Sequence, residues 1–179
     1  MNGNTQYTLR ATEALQTSFK TAAALGNPET TPTHLLKALI EQEDGVAGKL
    51  LAKLGASSQQ LTGELRSALD RLPSADGGSD PQPSRSLRAV LDQATKLAPQ
   101  FQDQYVSVEH LLLAVVSVKS STAAEILASS GVGHDSLLAA IQNLRGSHRV
   151  TDENPEAKYE ALKNYGRDLT ELAHTGKLD

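Results

Sequence analysis

One short stretch occurs twice in this chain, and it constrains the fold more than any other feature. His34-Leu35-Leu36-Lys37-Ala38-Leu39 returns as His110-Leu111-Leu112-Leu113-Ala114-Val115. The register extends well past the stretch, because residues 8–69 slide onto residues 84–145 without a gap. Leu15 falls on Leu91, Lys20 on Lys96, Ala22 on Ala98, Ala47 on Ala123, Leu51 on Leu127, Gly55 on Gly131 and Leu61 on Leu137. Mismatches often stay apolar, as in Ala11/Leu87, Ala14/Val90, Leu25/Phe101, Leu50/Ile126 and Leu65/Ile141. An internal repeat fixes the architecture before any other signal is weighed. The chain is two unlike copies of one unit.

Local signals make that unit four helices. Thr8 is a candidate N-cap, followed by an apolar face at Ala11, Ala14, Leu15, Ala22 and Leu25 with helical spacing. Gly26-Asn27-Pro28 stops the helix, and Thr31-Pro32 starts the next as N-cap and N1 proline. A third helix runs over about Val46–Leu54, ended by Gly55. Ser57-Ser58-Gln59-Gln60 opens a fourth, whose buried face is Leu61, Leu65, Ala68 and Leu69. The second copy keeps this punctuation, with Ser84 for Thr8, Ser107 for Thr31 and Gly131 for Gly55. The predicted fold class is all-α: two pseudo-symmetric four-helix repeats, eight helices, plus a short helical tail. The repeats cover about 8–72 and 84–146 of a domain spanning 1–146. Each unit is small for independent stability, so the two are expected to share a core.

Between the copies, Pro73–Arg85 is rich in Pro, Gly, Ser and Asp and reads as a connector. After the second copy, Gly146–Pro155 is polar and reads as extended or mobile, so that the repeat domain would tumble independently of the residues C-terminal to it. Residues 147–157 are therefore assigned as a linker, and the helix-forming run from residue 158 to 179 as a tail.

Composition excludes several functions. Net charge is −4 and no basic stripe stands out, which argues against nucleic acid as a partner. The aromatics Tyr7, Phe19, Phe101, Tyr105, Tyr159 and Tyr165 are too scattered for a base-stacking platform. No apolar run approaches the roughly 18 residues that span a bilayer, so no membrane is expected. Cysteine is absent, which removes thiolate chemistry and fits a cytoplasmic setting. No G-x-x-x-x-G-K-[S/T] loop appears, and the five histidines form no compact ligand set. His34 and His110 fall at N3 of equivalent helices, where a side chain can satisfy local backbone groups. The reading is no catalytic residue, no metal and no cofactor within this segment. A groove between helical units, lined by Leu and Ala, suits an extended apolar peptide.

The repeated Thr33-His34-Leu35-Leu36 and Glu109-His110-Leu111-Leu112 resemble the helix starts of the Clp amino-terminal domain of the large AAA+ disaggregases. Arg71-Leu72-Pro73, Arg149-Val150-Thr151-Asp152 and Ala161-Leu162-Lys163-Asn164-Tyr165-Gly166-Arg167-Asp168 are similar to more discriminating family signals. The resemblance implies that residues 158–179 begin a first AAA+ ATPase module, truncated before its phosphate loop. It further implies a homo-hexameric parent that uses ATP and magnesium, cooperates with a DnaK-type chaperone system, and threads unfolded or aggregated polypeptide; the fragment itself is expected to be monomeric. The domain would recruit that polypeptide. The alternative is an adaptor-docking domain of a protease-linked Clp ATPase. Carried over residue by residue, the substrate-contact positions are Thr8, Leu97, Asp103, Glu109 and His110. Gln93 and His110 stand where some relatives have an apolar residue, which implies a more polar groove.

Overall fold

A computed structural model describes residues 5–75, 80–146, 149–151 and 153–156. Among them, eight helices form two matched sets: α1 (Leu9–Ala24), α2 (Pro32–Glu41), α3 (Val46–Lys53) and α4 (Ser58–Asp70), then α5 (Arg85–Gln100), α6 (Val108–Ser117), α7 (Thr122–Ser129) and α8 (His134–Arg145). Equivalent helices have equal lengths for the first three pairs, 16, 10 and 8 residues, because the caps are conserved between copies. Thr8 accepts from the Ala11 amide at 3.2 Å and Ser84 from the Leu87 amide at 3.0 Å. Gly55 and Gly131 end α3 and α7 with φ of 83° and 82°. The helical tail predicted for residues 158–179 lies outside the described residues.

The two repeats share one core. Within each, α1 packs on α2 and α5 on α6; between them, α2 meets α6 and α7, α3 meets α6 and α8, and α4 meets α7. Nine consecutive residues of α6, Val108 to Val116, are buried, because partner helices surround it. A stripe is enough for a surface helix, whereas a helix apolar all round must be enclosed. Among the described residues no single helix is long and apolar enough to cross a membrane.

Two features were invisible to helical periodicity. Short parallel strands β1 (Glu29–Thr30) and β2 (Gln82–Pro83) pair with each other, and a single bridge joins Tyr7 to Val106. The two contacts are reciprocal. The segment before α2 pairs with the one before α5, and the segment before α1 with the one before α6. Thr8 N–H donates to Val106 C=O at 3.0 Å, and its counterpart Ser84 N–H donates to Thr30 C=O at 2.9 Å. Each copy thereby fixes a helix entry of the other.

The segment after α8 also departs from expectation. Val150 is fully buried and Glu156 nearly so, and Val150 C=O accepts from Gln104 N–H at 2.7 Å. The stretch is polar in composition, yet its few apolar side chains are the ones that dock. The described residues 149–151 and 153–156 lie on the domain body instead of leading away from it.

The turn after α1 carries a further prediction. Gly26 has φ of 71°, and a Cβ there would sit 2.9 Å from the Ala75 carbonyl oxygen. Gly26→Ala combines left-handed strain with a backbone clash and should cost roughly 2 kcal/mol. Urea unfolding checks this. Its counterpart Gln102 keeps the same conformation, φ 62°, without glycine.

Candidate functional site

The duplicated histidine builds two versions of one network. In the first copy, Thr31 N–H donates to His34 Nδ1 at 2.9 Å, which leaves Nε2 as the protonated nitrogen; it donates to Asn27 Oδ1 at 2.8 Å. Burial first, with the Lys37 charge adding to it, lowers the His34 pKa to about 4. This imidazole acts as the returning arm of a capping box, a task more often given to Glu or Gln.

In the second copy Ser107 N–H donates to His110 Nδ1 at 2.8 Å, and His110 Nε2 reaches Asp103 Oδ2 at 2.7 Å. Asp103 replaces Asn27, and a charged partner answers it. Arg145 holds the carboxylate with both terminal nitrogens, at 2.8 and 2.5 Å, and the Val150 amide adds a bond at 2.8 Å. Burial alone would raise the Asp103 pKa, but the bonds from His110, Arg145 and Val150 hold it below the usual carboxylate value. Phe101 stacks on His110 at 5.3 Å, with Arg145 5.5 Å from its ring centre. Ser107, His110 and Asp103 have the residue types of a hydrolytic triad. All three side chains are buried, however, and the Ser107 hydroxyl lies 2.9 Å from the same Nδ1 that caps the helix. The arrangement is a cap.

A third cluster joins the two helix entries. Glu156 Oε2 accepts from the Thr8 hydroxyl at 2.8 Å and from the Val108 amide at 3.1 Å. Glu109 lies alongside, with Arg145 Nε 3.7 Å from its Oε2. Burial first, and then the Glu109 carboxylate, push the Glu156 pKa up from 4.5 to about 7. The folded protein therefore binds this proton more tightly than the unfolded chain. The resulting stabilisation is full below pH 4.5 and is lost as pH rises through about 7, by up to roughly 3 kcal/mol. Thermal midpoints compared between the wild type and Glu156→Gln should diverge across that window, with the variant showing the flatter profile.

The positions carried over from the family resemblance are thus all found, and none is on the surface. Thr8, Glu109 and His110 are fully buried, Leu97 and Asp103 nearly so. Thr8 caps α1 and holds Glu156; Asp103, Glu109 and His110 surround Arg145; Leu97 belongs to the apolar core. In this packing the residues after α8 and the neighbouring helices cover all five, so a client would reach them only where that cover moves aside. Gln93 is half-buried on α5. Sequence reasoning missed Arg145, Val150 and Glu156. The signal for Arg145 was present, since it occupies the repeat position of the core leucine Leu69.

An open apolar surface lies beside this cluster, beginning at Tyr7 next to Thr8. Tyr7, Thr12, Leu15, Gln16, Phe19 and Lys20 line a cavity of about 520 Å³ along α1. Tyr7, Leu15 and Phe19 are half-buried, while Leu9 and Leu25, at either end of α1, are 50% and 42% exposed. Burial, and then the Asp92 carboxylate of α5, push the Tyr7 hydroxyl above its usual pKa.

The family model of the Clp repeat (R) N-terminal domain matches residues 6–157. The chain belongs to that family. The Clp repeat domain is 41% identical over 173 residues to the chaperone protein ClpB of Mycobacterium bovis, a match covering 96% of this chain and 20% of the relative. ClpB of Rhodopirellula baltica is 40% identical over 158 residues, covering 88% of this chain and 18% of the relative. The chain thus spans about a fifth of these relatives' length. The all-α, two-repeat fold is shared with the Hsp104 N-terminal domain from Candida albicans, with a TM-score of 0.75 at 24% identity, covering 84% of this chain and 99% of that one. It is shared also with the N-terminal domain of ClpV1 from Escherichia coli, TM-score 0.70 at 24% identity, covering 84% and 91%. Both ClpB relatives are chaperone proteins, and the match to them takes in most of this chain. The region matched by the family model extends over the docked residues 149–151 and 153–156.

Proposed function

We propose that this domain recruits unfolded or aggregated polypeptide for an ATP-driven threading machine. The observation that carries the reading is the α1 groove, lined by half-buried Tyr7, Leu15 and Phe19 and open to solvent. An apolar helix-lined groove open to solvent takes an extended apolar segment. Few charged side chains interrupt it; Lys20 lies at its rim.

In this reading the parent is a cytoplasmic homo-hexamer that binds ATP and magnesium and works with a DnaK-type chaperone system. Residues 158–179 begin its first AAA+ module. The Clp repeat domain itself supplies the binding surface and no chemistry.

Titration with a permanently unfolded polypeptide, reduced carboxymethylated α-lactalbumin, tests the reading. Amide shifts are expected at Tyr7, Leu15 and Phe19, and Phe19→Ser should weaken binding roughly tenfold. Shifts confined to the cavity lined by Val116, Ala124, Ala128 and Val132 would move the site to the second repeat and overturn it. Capture of a folded adaptor with no affinity for the unfolded chain would favour the adaptor-docking alternative.

A further inference from the structure

Residues 149–151 and 153–156 lie against the turn before α6 and the start of α1 in a manner that resembles a bound peptide. Val150 is fully buried, its C=O accepting from Gln104 N–H at 2.7 Å and its N–H donating to Asp103 Oδ1 at 2.8 Å. Glu153 C=O accepts from Leu9 N–H at 2.7 Å. The run of contacts ends with the Glu156 carboxylate on the Thr8 hydroxyl and the Val108 amide. Main-chain bonds to free edge donors, with one apolar side chain in a pocket, are how receptors hold extended peptides.

The duplication separates what the fold requires from what this segment adds. In the first copy, residues 73–75 meet the equivalent turn, with Asn27 Nδ2 donating to Pro73 C=O at 3.0 Å and Ala75 N–H to Gly26 C=O at 2.9 Å. Those residues are exposed. The repeat position of Val108 is Pro32, which has no N–H to offer a carboxylate. The carboxylate seat therefore exists on one side of the domain only.

The seat is also imperfect. Glu156 Oε1 and both Glu109 carboxyl oxygens are buried without a hydrogen-bond partner. The groups around Glu156 are the Thr8 hydroxyl from α1, the Val108 amide and Glu109 from α6, and, behind Glu109, Arg145 from α8 with Asp103 and His110. A buried carboxyl that faces a second carboxylate and leaves one oxygen unpaired is weakly held.

We propose that residues 149–151 and 153–156 form a displaceable strap occupying the end of the polypeptide groove, so that a client binds along its full length only by displacing the domain's own chain. The proposal rests on the recruitment reading and names how that same site is regulated. Continuity carries it: Tyr7 lines the groove, and the next two residues, Thr8 and Leu9, hold the strap. An extended client continuing past Tyr7 meets the donors that Glu153 and Glu156 now occupy. Ionisation of Glu156 beside Glu109 favours release, so the groove lengthens as pH rises.

Affinity for reduced carboxymethylated α-lactalbumin at pH 8 tests this in three forms of the whole chain, with far-UV circular dichroism confirming the fold. Val150→Asp ejects the strap and should bind on the order of tenfold tighter than wild type, if the strap is docked in roughly nine molecules of ten. Glu156→Gln keeps the hydrogen-bonding shape without the charge, so it should bind more weakly than wild type. Hydrogen exchange at the Leu9, Gln104 and Val108 amides should quicken in the first variant and slow in the second. Equal affinities in all three forms, despite altered exchange, would overturn the strap while leaving recruitment intact. Failure of every form to bind, including Val150→Asp, would overturn both.

Discussion

Asp103→Asn, which merely restores the residue found at the twin position Asn27, is expected to destabilise the domain by roughly 3–5 kcal/mol. The reason is the company each residue keeps. Asn27 receives a hydrogen bond from one imidazole, and a neutral oxygen suffices. Asp103 is gripped by Arg145 through both its oxygens, bonded to His110, and bonded to the Val150 amide. An amide there would turn an NH₂ toward donors and leave a buried guanidinium with only the more distant Glu109 carboxylate as counter-ion. In thermal unfolding the loss corresponds to roughly 10 °C for a domain of this size. The double variant Asp103→Asn with Arg145→Leu re-creates the first copy's pairing of Asn27 with Leu69 and should recover most of the loss. A double-mutant cycle with a coupling energy near zero would show that the two residues do not act as a unit.

The second large effect concerns the shared core. Leu112 is fully buried in α6, the helix that packs against α2 and α3 of the other repeat as well as α5, α7 and α8 of its own. Leu112→Ala should cost about 2–5 kcal/mol, since neighbours on every side limit collapse of the cavity. Its twin Leu36, equally buried in α2, should behave alike. Either substitution is expected to lower the midpoint of both repeats together. Amide resonances of α1 and α5 followed through a urea titration should lose intensity at one common midpoint. Two separated transitions would mean two independent four-helix units.

Much of the helical frame was legible because repetition amplifies weak signals. A threonine or serine at a helix start is ambiguous once; Thr8 with Ser84 and Thr31 with Ser107 are not. What could not be read was contact between segments lacking periodicity. The bridges of Thr30 to Pro83 and Tyr7 to Val106 involve one or two residues each, too short for alternation to register. The docked strap was obscured by composition, since Val150 is a single apolar residue among polar neighbours and its burial depends on a turn distant in sequence. The polar site lay in between. Asn27 to Asp103, Thr33 to Glu109 and Leu69 to Arg145 change together between the copies, and side by side they outline a buried charge cluster. Taken singly, none of the three changes announces a charge cluster, and only their shared burial does so.

The bond between Thr8 and Glu156 ties the point where the chain enters the helical body to the last residue described on it. Tension applied to the chain beyond residue 156 reaches that bond first, then the Leu9–Glu153 bond, then the two at Val150. They are loaded one after another, as in peeling tape, whereas the core leucines share load in parallel. A pull from that side lifts the strap at low force and leaves the eight helices standing, which makes the segment a mechanical fuse.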